Sequence, residues 1–270
     1  MNKRDLPSLC QQMRRDIINM IAHNASGHPG GSLSVIDLLV ALYFYKMNID
    51  PARPQDPVRD RLVLSKGHAA PALYACLGEL GFIEKEEYAS LRQLHSRLQG
   101  HPDKKKCPGV EASTGSLGQG CSIAVGMALG AKITQNPCHV YAVLGDGECQ
   151  EGIVWEASMA AAHYQLDNLT FLIDYNGLQI DGTNDEVMSL GNLELKFQAF
   201  GFDTLMVENG NDINEIIFAL DAPICKGKPR CILCKTVKGK GVSFMENQVE
   251  WHGKAPNDQQ RQAALIELEE

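Results

Sequence analysis

The segment HVYAVLGDGECQEGIVWEASMAAAHYQLDNLTFLIDYNGLQIDG, residues 139–182, leaves this chain of 270 residues little freedom in how it folds. Residues 139–144 read as a buried strand, Gly145-Asp146-Gly147 as a tight turn off its end, and 150–163 as the helix that follows. A second strand, 169–173, then delivers Asp174, Tyr175 and Asn176. A carboxylate at the end of one parallel strand and an amide at the end of the next converge above the sheet edge where open α/β sheets bind ligands. Asp146 and Asn176 therefore read as two ligands of one metal. Mg²⁺ is usually held by only one or two carboxylates, with phosphate oxygens and water completing its octahedron, so one Asp, one Asn and a backbone carbonyl suit a metal-bridged diphosphate. The turn glycines let the backbone approach such a ligand, and the helix N-terminus offers it N–H groups. The plainer alternative is that Gly-Asp-Gly is an ordinary turn and that Asn176-Gly177, between FLIDY and LQIDG, is a hairpin signal.

The rest of the chain fits one large α/β domain, 1–270, with 44% hydrophobic residues. Alternating strands and helices without a hairpin series imply a mainly parallel sheet with helices on both faces. With 25 basic against 33 acidic residues there is no electrostatic footprint for nucleic acid. No apolar run approaches the ~20 residues of a membrane helix, and the N-terminus lacks a signal-peptide core, so no membrane partner and a cytoplasmic location are expected. Nine cysteines without framework spacing suit free thiols. Cys231 and Cys234 have the spacing of half a zinc site but lie in a strand-like run, where residues three apart face opposite ways.

Taken in order, 6–25 reads as an amphipathic helix and SGHPGG as a rigid turn before a helix over 35–45 capped by Ser34. A loop (50–60), a strand (61–65), a helix stopped by Gly81 and a helix over 84–94 follow, then a helix over 121–133. After the central segment come helices at 193–200 and 212–220 and strands at 203–207 and 230–237. STGSLGQG lacks the lysine of a Walker loop.

Four histidines, His28, His68, His101 and His252, sit in or beside glycine turns, whereas His23, His95, His139 and His163 lie in ordinary helix or strand settings. One such histidine is usually a packing residue. Four of them on loops at one sheet edge suit hydroxyl recognition, phosphate contact and proton transfer near neutral pH. Zinc is disfavoured because no two of the four have ligand spacing.

Asp146 and Asn176, with EGIVWEA directly after the first turn, together resemble the thiamine diphosphate signature, in which GDG is followed by Asn just under thirty residues later. That resemblance implies that a Mg²⁺ (or Ca²⁺) is held by the side chains of Asp146 and Asn176 and the carbonyl of Leu178. From about Leu6 to about Pro256 the chain resembles the N-terminal, diphosphate-binding domain of transketolase, through SGHPGG, LSKGHAAPALYA, LQGHPD, STGSLGQG, GDGECQEGIVWEA, DYNGLQIDG and WHGKAP in that order. The family implies the thiamine diphosphate-binding fold and transfer of a two-carbon ketol unit from a ketose or ketose phosphate to an aldose or its phosphate. By motif match, His28, His68, His101 and His252 face cofactor and donor sugar, with His68 and His252 also among the cofactor contacts. Gly115, Ser116 and Leu117 pass the cofactor rings, Ile180 adds apolar contact, and Gly145, Asp146, Gly147 (through its N–H) and Glu148 form the diphosphate turn. Glu151 belongs to a carboxylate network at a subunit interface. Ser116 departs from a proline found in many transketolases. The pyrimidine-binding and C-terminal domains of the family are expected on a separate subunit, in an assembly of two copies of each chain. Rival readings are the α-subunit of a 2-oxo acid dehydrogenase, a 1-deoxyxylulose 5-phosphate synthase fragment, and a non-catalytic module that keeps the fold.

Overall fold

A computed structural model describes residues 5–269; residues 1–4 and 270 of the expected domain lie outside the described residues. The elements in chain order are α1 (Leu6–His23), α2 (Pro29–Ala41), β1 (Arg61–Leu64), α3 (Ala70–Leu80), α4 (Gln119–Ile133), β2 (Val140–Gly145), α5 (Gly152–His163), β3 (Leu169–Tyr175), α6 (Asn184–Met188), α7 (Leu193–Ala199), β4 (Asp203–Val207), α8 (Ile213–Asp221), β5 (Arg230–Lys235) and α9 (Asp258–Glu267). The strands form one sheet in the order β1-β2-β3-β5-β4, every neighbouring pair parallel. The expected α/β class with a parallel sheet is what the chain adopts.

Both faces of the sheet are covered, which is why its strands read as continuous apolar runs instead of alternating ones. The pleat still sorts them by a period of two. Leu62, Leu64, Tyr141, Val143, Leu172, Ile232 and Cys234 pack beneath α1, α2, α3 and α8. Val63, Val140, Ala142, Leu144, Phe171, Ile173, Cys231 and Leu233 pack beneath α4, α5 and α7. Cys231 and Cys234 thus enter opposite cores, and all nine thiols are free.

Several local expectations are corrected. SGHPGG is not a turn ahead of a Ser34 cap: α2 already begins at Pro29, with His28 in the N-cap position, and Ser34 lies inside the helix. Proline suits the first helical position because its missing N–H has no partner there anyway. The glycines that argued for a turn instead let neighbours close in, a Cβ on Gly30 falling 2.9 Å from the Trp251 carbonyl oxygen. After Ala41 the chain continues as a π-helical turn, Leu42–Lys46. The expected helix over 84–94 is a 3₁₀ segment, Lys85–Ser90, followed by loop residues with positive φ at Arg92 and His95. A 3₁₀ turn, Gly147–Gln150, precedes α5, which starts at Gly152 and not at 150. Helix α9 was missed because only its capping box, Asn257 with Gln260, marks its start and just one of its residues is buried. Among the described residues no helix is long and apolar enough to cross a membrane.

Candidate active site

Parallel strands end together, so the loops after β1, β2, β3 and β5 open on the same edge of the sheet. They carry Ser65 to His68, Asp146 to Glu148, Asn176 to Leu178, and Thr236 to Lys238, with Asp174 at the end of β3 itself. Gly145 pairs with Asp174 at the ends of β2 and β3, which sets the Asp146 turn beside the Asn176 turn. The Asp146 carboxylate accepts the N–H of Gly147 at 2.8 Å and that of Gly177, so it links the two turns. Asn176 accepts the Leu178 N–H at 3.1 Å and donates to Asp174 at 3.3 Å. The Leu178 carbonyl accepts from Lys238 Nζ at 3.1 Å.

The three residues expected to hold a metal are therefore neighbours. They fit one, on the chemistry of the donor set. Burial and the nearby Asp174 charge push the Asp146 carboxyl up to about 6, which marks a place where positive charge is wanted. Among the described residues no group of three or more His, Cys, Asp or Glu side chains is placed to hold an ion. One carboxylate, one amide and one carbonyl must be completed by oxygens from a ligand and water, the usual arrangement for Mg²⁺ on a diphosphate.

The four glycine-turn histidines come together, and Lys238 joins them to this knot by bonding both the Leu178 carbonyl and His252 Nδ1. Ring centroids lie 5.4 Å apart for His28 and His68, 5.5 Å for His28 and His252, 5.1 Å for His68 and His252, and 6.5 Å for His28 and His101. Close approach of the loops makes this possible. Gly115, at φ 150, lies where a Cβ would be 3.0 Å from the His101 ring, and a Cβ on Gly67 would fall 2.8 Å from the Gly115 nitrogen. His23, His95, His139 and His163 are in none of these ring contacts; His139 bonds Thr170 and His163 meets Tyr164 edge to face.

All four cluster imidazoles are held neutral. Burial, then Arg92, lowers His28 to about 4; burial, then Lys238, lowers His252 to about 3; burial lowers His68 well below its ordinary value and His101 to a lesser degree. Burial likewise lowers His139 to about 4. For each of these the folded pKa lies below the unfolded value near 6.5, so on acidification the unfolded chain takes up protons first. Stability is complete above about pH 6.5 and drains as pH falls toward the folded values. Urea titrations of the chain are expected to show lower stability at pH 5 than at pH 7, although the Asp146 carboxyl, raised to about 6, pulls the other way, and the difference is expected to shrink in a chain carrying His28→Gln and His252→Gln. An unchanged difference in that variant would contradict the cluster.

Lysines and an aspartate that sequence reasoning did not single out prove central. Lys238 Nζ lies 2.9 Å from His252 Nδ1. An ammonium has no lone pair, so Nδ1 accepts and His252 carries its proton on Nε2. Burial lowers Lys238 to about 8, which leaves it mostly charged at neutral pH. Asp174, fully buried, receives Lys66, the Ser34 hydroxyl at 2.6 Å and the Thr236 hydroxyl. The available signal was a lysine two residues after the buried strand RLVL and another after CILCKTV, where a solvated lysine would not be expected.

The remaining expected residues are placed as follows. Glu148 is buried, and its carboxylate takes the N–H of Gly118 at 2.8 Å, the N–H of Gly145 at 3.0 Å and the Ser65 hydroxyl, so it ties three loops beneath the site. The Gly147 N–H is engaged by Asp146. Ser116 and Glu151 are exposed, Leu117 is half-buried, and Ile180 is 66% exposed.

Residues 7–267 match the family described as transketolase, thiamine diphosphate binding domain. The chain is 43% identical over 266 residues to a 6-deoxy-6-sulfo-D-fructose transketolase subunit of Clostridium sp. (strain MSTE9), covering 98% of this chain and 96% of that one. It is 39% identical over 267 residues to one of the subunits of apulose-4-phosphate transketolase from Actinobacillus succinogenes, covering 98% and 96%. Among solved structures, transketolase from Campylobacter jejuni superposes with a TM-score of 0.91 at 35% identity, covering 100% of this chain and 43% of that one. A transketolase mutant from Pichia stipitis in complex with fructose 6-phosphate gives 0.92 at 31%, covering 98% and 40%. The chain thus spans nearly the whole of the relatives named as subunits and under half of these two solved transketolase chains.

Proposed function

Since the chain belongs to the transketolase family, as its thiamine diphosphate-binding domain, we propose that it is the diphosphate-binding subunit of a two-chain transketolase and moves a two-carbon ketol unit from a ketose to an aldose. The observation that carries this is the gathering of His28, His68, His101 and His252 into one cluster that Lys238 joins to the Asp146, Asn176 and Leu178 knot, by bonding both His252 Nδ1 and the Leu178 carbonyl. In this reading Asp146, Asn176 and the Leu178 carbonyl hold Mg²⁺ or Ca²⁺, which bridges to the diphosphate. Lys238, whose Nζ donates to the Leu178 carbonyl, would place a positive charge beside the metal and the diphosphate. Thiamine diphosphate, when bound, supplies the nucleophilic carbon through which the ketol unit passes.

The chain's own part is recognition and proton handling. Neutral imidazoles donate from one ring nitrogen and accept at the other, so the cluster can bond sugar hydroxyls without setting charge against the cationic lysines; Nδ1 of His28 and of His252 is engaged by Arg92 and Lys238, so these two rings offer donors, and a ring that takes a hydroxyl proton becomes an imidazolium until it returns it. Gly115, Ser116 and Leu117 border the ring end of the cofactor and Ile180 flanks it. The 66% exposure of Ile180 and the exposure of Glu151 support a partner subunit closing over this side. That partner is proposed to bring the carboxylate that contacts the aminopyrimidine and the groups that bind the far end of the sugar, in an assembly of two copies of each chain. Two relatives are named for ketoses ending in a sulfonate or a phosphate, which supports donors with an anionic end. The unpaired thiols, eight of them buried, support a reducing, cytoplasmic setting.

The test is reconstitution. The chain alone, with thiamine diphosphate and Mg²⁺, is expected to give no ketol transfer above background from fructose 6-phosphate or its 6-sulfo analogue. Adding a C-terminal transketolase subunit is expected to raise turnover by at least about a thousandfold, since half of the catalytic groups arrive with it. Full activity of the chain alone, or failure of the two subunits to co-elute, would overturn the reading.

A further inference from the structure

We infer that Arg92 is a positioning residue that fixes His28 as the Nε2–H tautomer, so that this imidazole meets the sugar as a hydrogen-bond donor. The inference rests on the transketolase reading above. Arg92 Nη2 lies 3.2 Å from His28 Nδ1. A guanidinium carries five N–H donors and no acceptor, and it does not deprotonate in proteins, so Nδ1 must accept and the ring proton must sit on Nε2. The Nε2 edge faces the turn at Gly253, on the His252 side of the cluster. A free imidazole has no strong reason to choose one tautomer; here a charged donor chooses for it.

The fold goes to some length to keep Arg92 in place. Its backbone adopts φ 60, uncommon for a residue with a Cβ. Its N–H donates to the Leu98 carbonyl at 2.8 Å. The guanidinium also reaches Ser26 Oγ and the Gly100 carbonyl, each at 3.4 Å. Any side chain at residue 100 would obstruct this, because a Cβ on Gly100 would fall 2.8 Å from Arg92 Cζ. Among the described residues no carboxylate pairs with Arg92, and burial lowers its pKa. A half-buried cation without a counter-charge is costly unless its bonds matter. The groups that face His28 are Arg92, Lys238 and Lys66 as cations and His68, His101 and His252 as neutral rings. That positive surround discourages a second proton on His28, so the donor at Nε2 stays a neutral one.

The direct test is a long-range proton–nitrogen NMR correlation on the full chain labelled with ¹⁵N-histidine. The wild-type chain is expected to show His28 protonated at Nε2 and bare at Nδ1, and Arg92→Leu a mixture or the reverse. In the reconstituted complex, Arg92→Leu is expected to lower kcat/KM for the donor about tenfold, the loss of one charge-assisted hydrogen bond. Thiamine diphosphate affinity should stay within about twofold, on the same reasoning that only the sugar side is touched. The acid limb of the kcat/KM profile is expected to move to higher pH, because one cation facing His28 is gone. Arg92→Lys, which keeps a charged donor, should recover part of the loss, and Arg92→Met, also without a donor, serves should the leucine variant fold poorly. An unaltered His28 tautomer in Arg92→Leu and Arg92→Met overturns the inference, as does an altered tautomer with unchanged donor kinetics. Because the NMR readout needs neither partner nor turnover, it stands apart from failure of the transketolase reading, which would appear as an inactive wild-type complex.

Discussion

Asp146→Ala is expected to weaken Mg²⁺-dependent binding of thiamine diphosphate at least about hundredfold in the reconstituted enzyme, close to 3 kcal/mol, while the chain stays folded. Of the three proposed ligands only Asp146 carries a full charge; Asn176 and Leu178 offer neutral oxygens. Two effects on folding oppose each other. The variant loses the bonds from the Gly147 and Gly177 N–H groups, each worth about 1 kcal/mol net. It also removes a carboxylate whose pKa stands at about 6, whose charged form is therefore disfavoured in the fold at neutral pH. The two nearly offset, and the melting temperature should fall by only a few degrees. Asp146→Asn keeps an acceptor for the turn but not the charge, so it should lose metal affinity to a similar degree. Metal titration at fixed cofactor, read by thiamine diphosphate binding, decides the matter. Unchanged affinity in both variants would remove Asp146 from the metal site.

Asp174→Ala should be far more damaging to the fold than Lys66→Met, although the two residues form one buried ion pair. Asp174 gathers Lys66, Ser34 and Thr236 from three other segments, and Asn176 from its own turn. Without it the Lys66 ammonium keeps only the Gly31 carbonyl, at 3.2 Å, in a position 1% exposed. An uncompensated buried charge of this kind costs about 3 to 5 kcal/mol. Removing Lys66 leaves the carboxylate with three hydrogen-bond donors, and the loss should be nearer to 1 to 2 kcal/mol. The double variant Lys66→Met with Asp174→Asn, which buries no charge, should regain much of the difference. Chemical denaturation of the three chains measures the order. Equal losses in the two single variants would show that the pair, and not the hub at Asp174, is what the fold depends on.

What the sequence determined by itself was the kind of fold and the inventory of the site. Apolar runs such as VYAVL and LTFLI, separated by a helix-length segment, leave a parallel pair as the economical solution, and a parallel pair puts the Asp146 and Asn176 turns on one edge. The glycine turns marked His28, His68, His101 and His252 because a motif is local and survives without knowledge of the fold. Local signals also misled. The double glycine after Pro29 reads as a turn from propensity, yet it is helix, because the packing of Lys238 and the Trp251 backbone against α2 outweighs roughly 1 kcal/mol of intrinsic preference per glycine. The helix expected over 84–94 gives way to the loop that carries Arg92, whose positive φ and contact with Gly100 become visible only when residues distant in sequence are set side by side.

Tertiary structure alone decided which residues share the charge of the site. No local window names the partners of Lys66 and Lys238; burial makes them partners of Asp174, the Leu178 carbonyl and His252. Glu148 sits in the diphosphate turn by sequence, but its carboxylate points beneath it to Gly118 and Ser65. The tautomers of His28 and His252 follow from Arg92 and Lys238, their hydrogen-bond partners across gaps of 64 and 14 residues. Composition and periodicity report how often a residue is buried; they carry no record of its direction. Direction is what turns a set of polar side chains into donors, acceptors and counter-charges, and it is fixed only when the loops meet at the sheet edge.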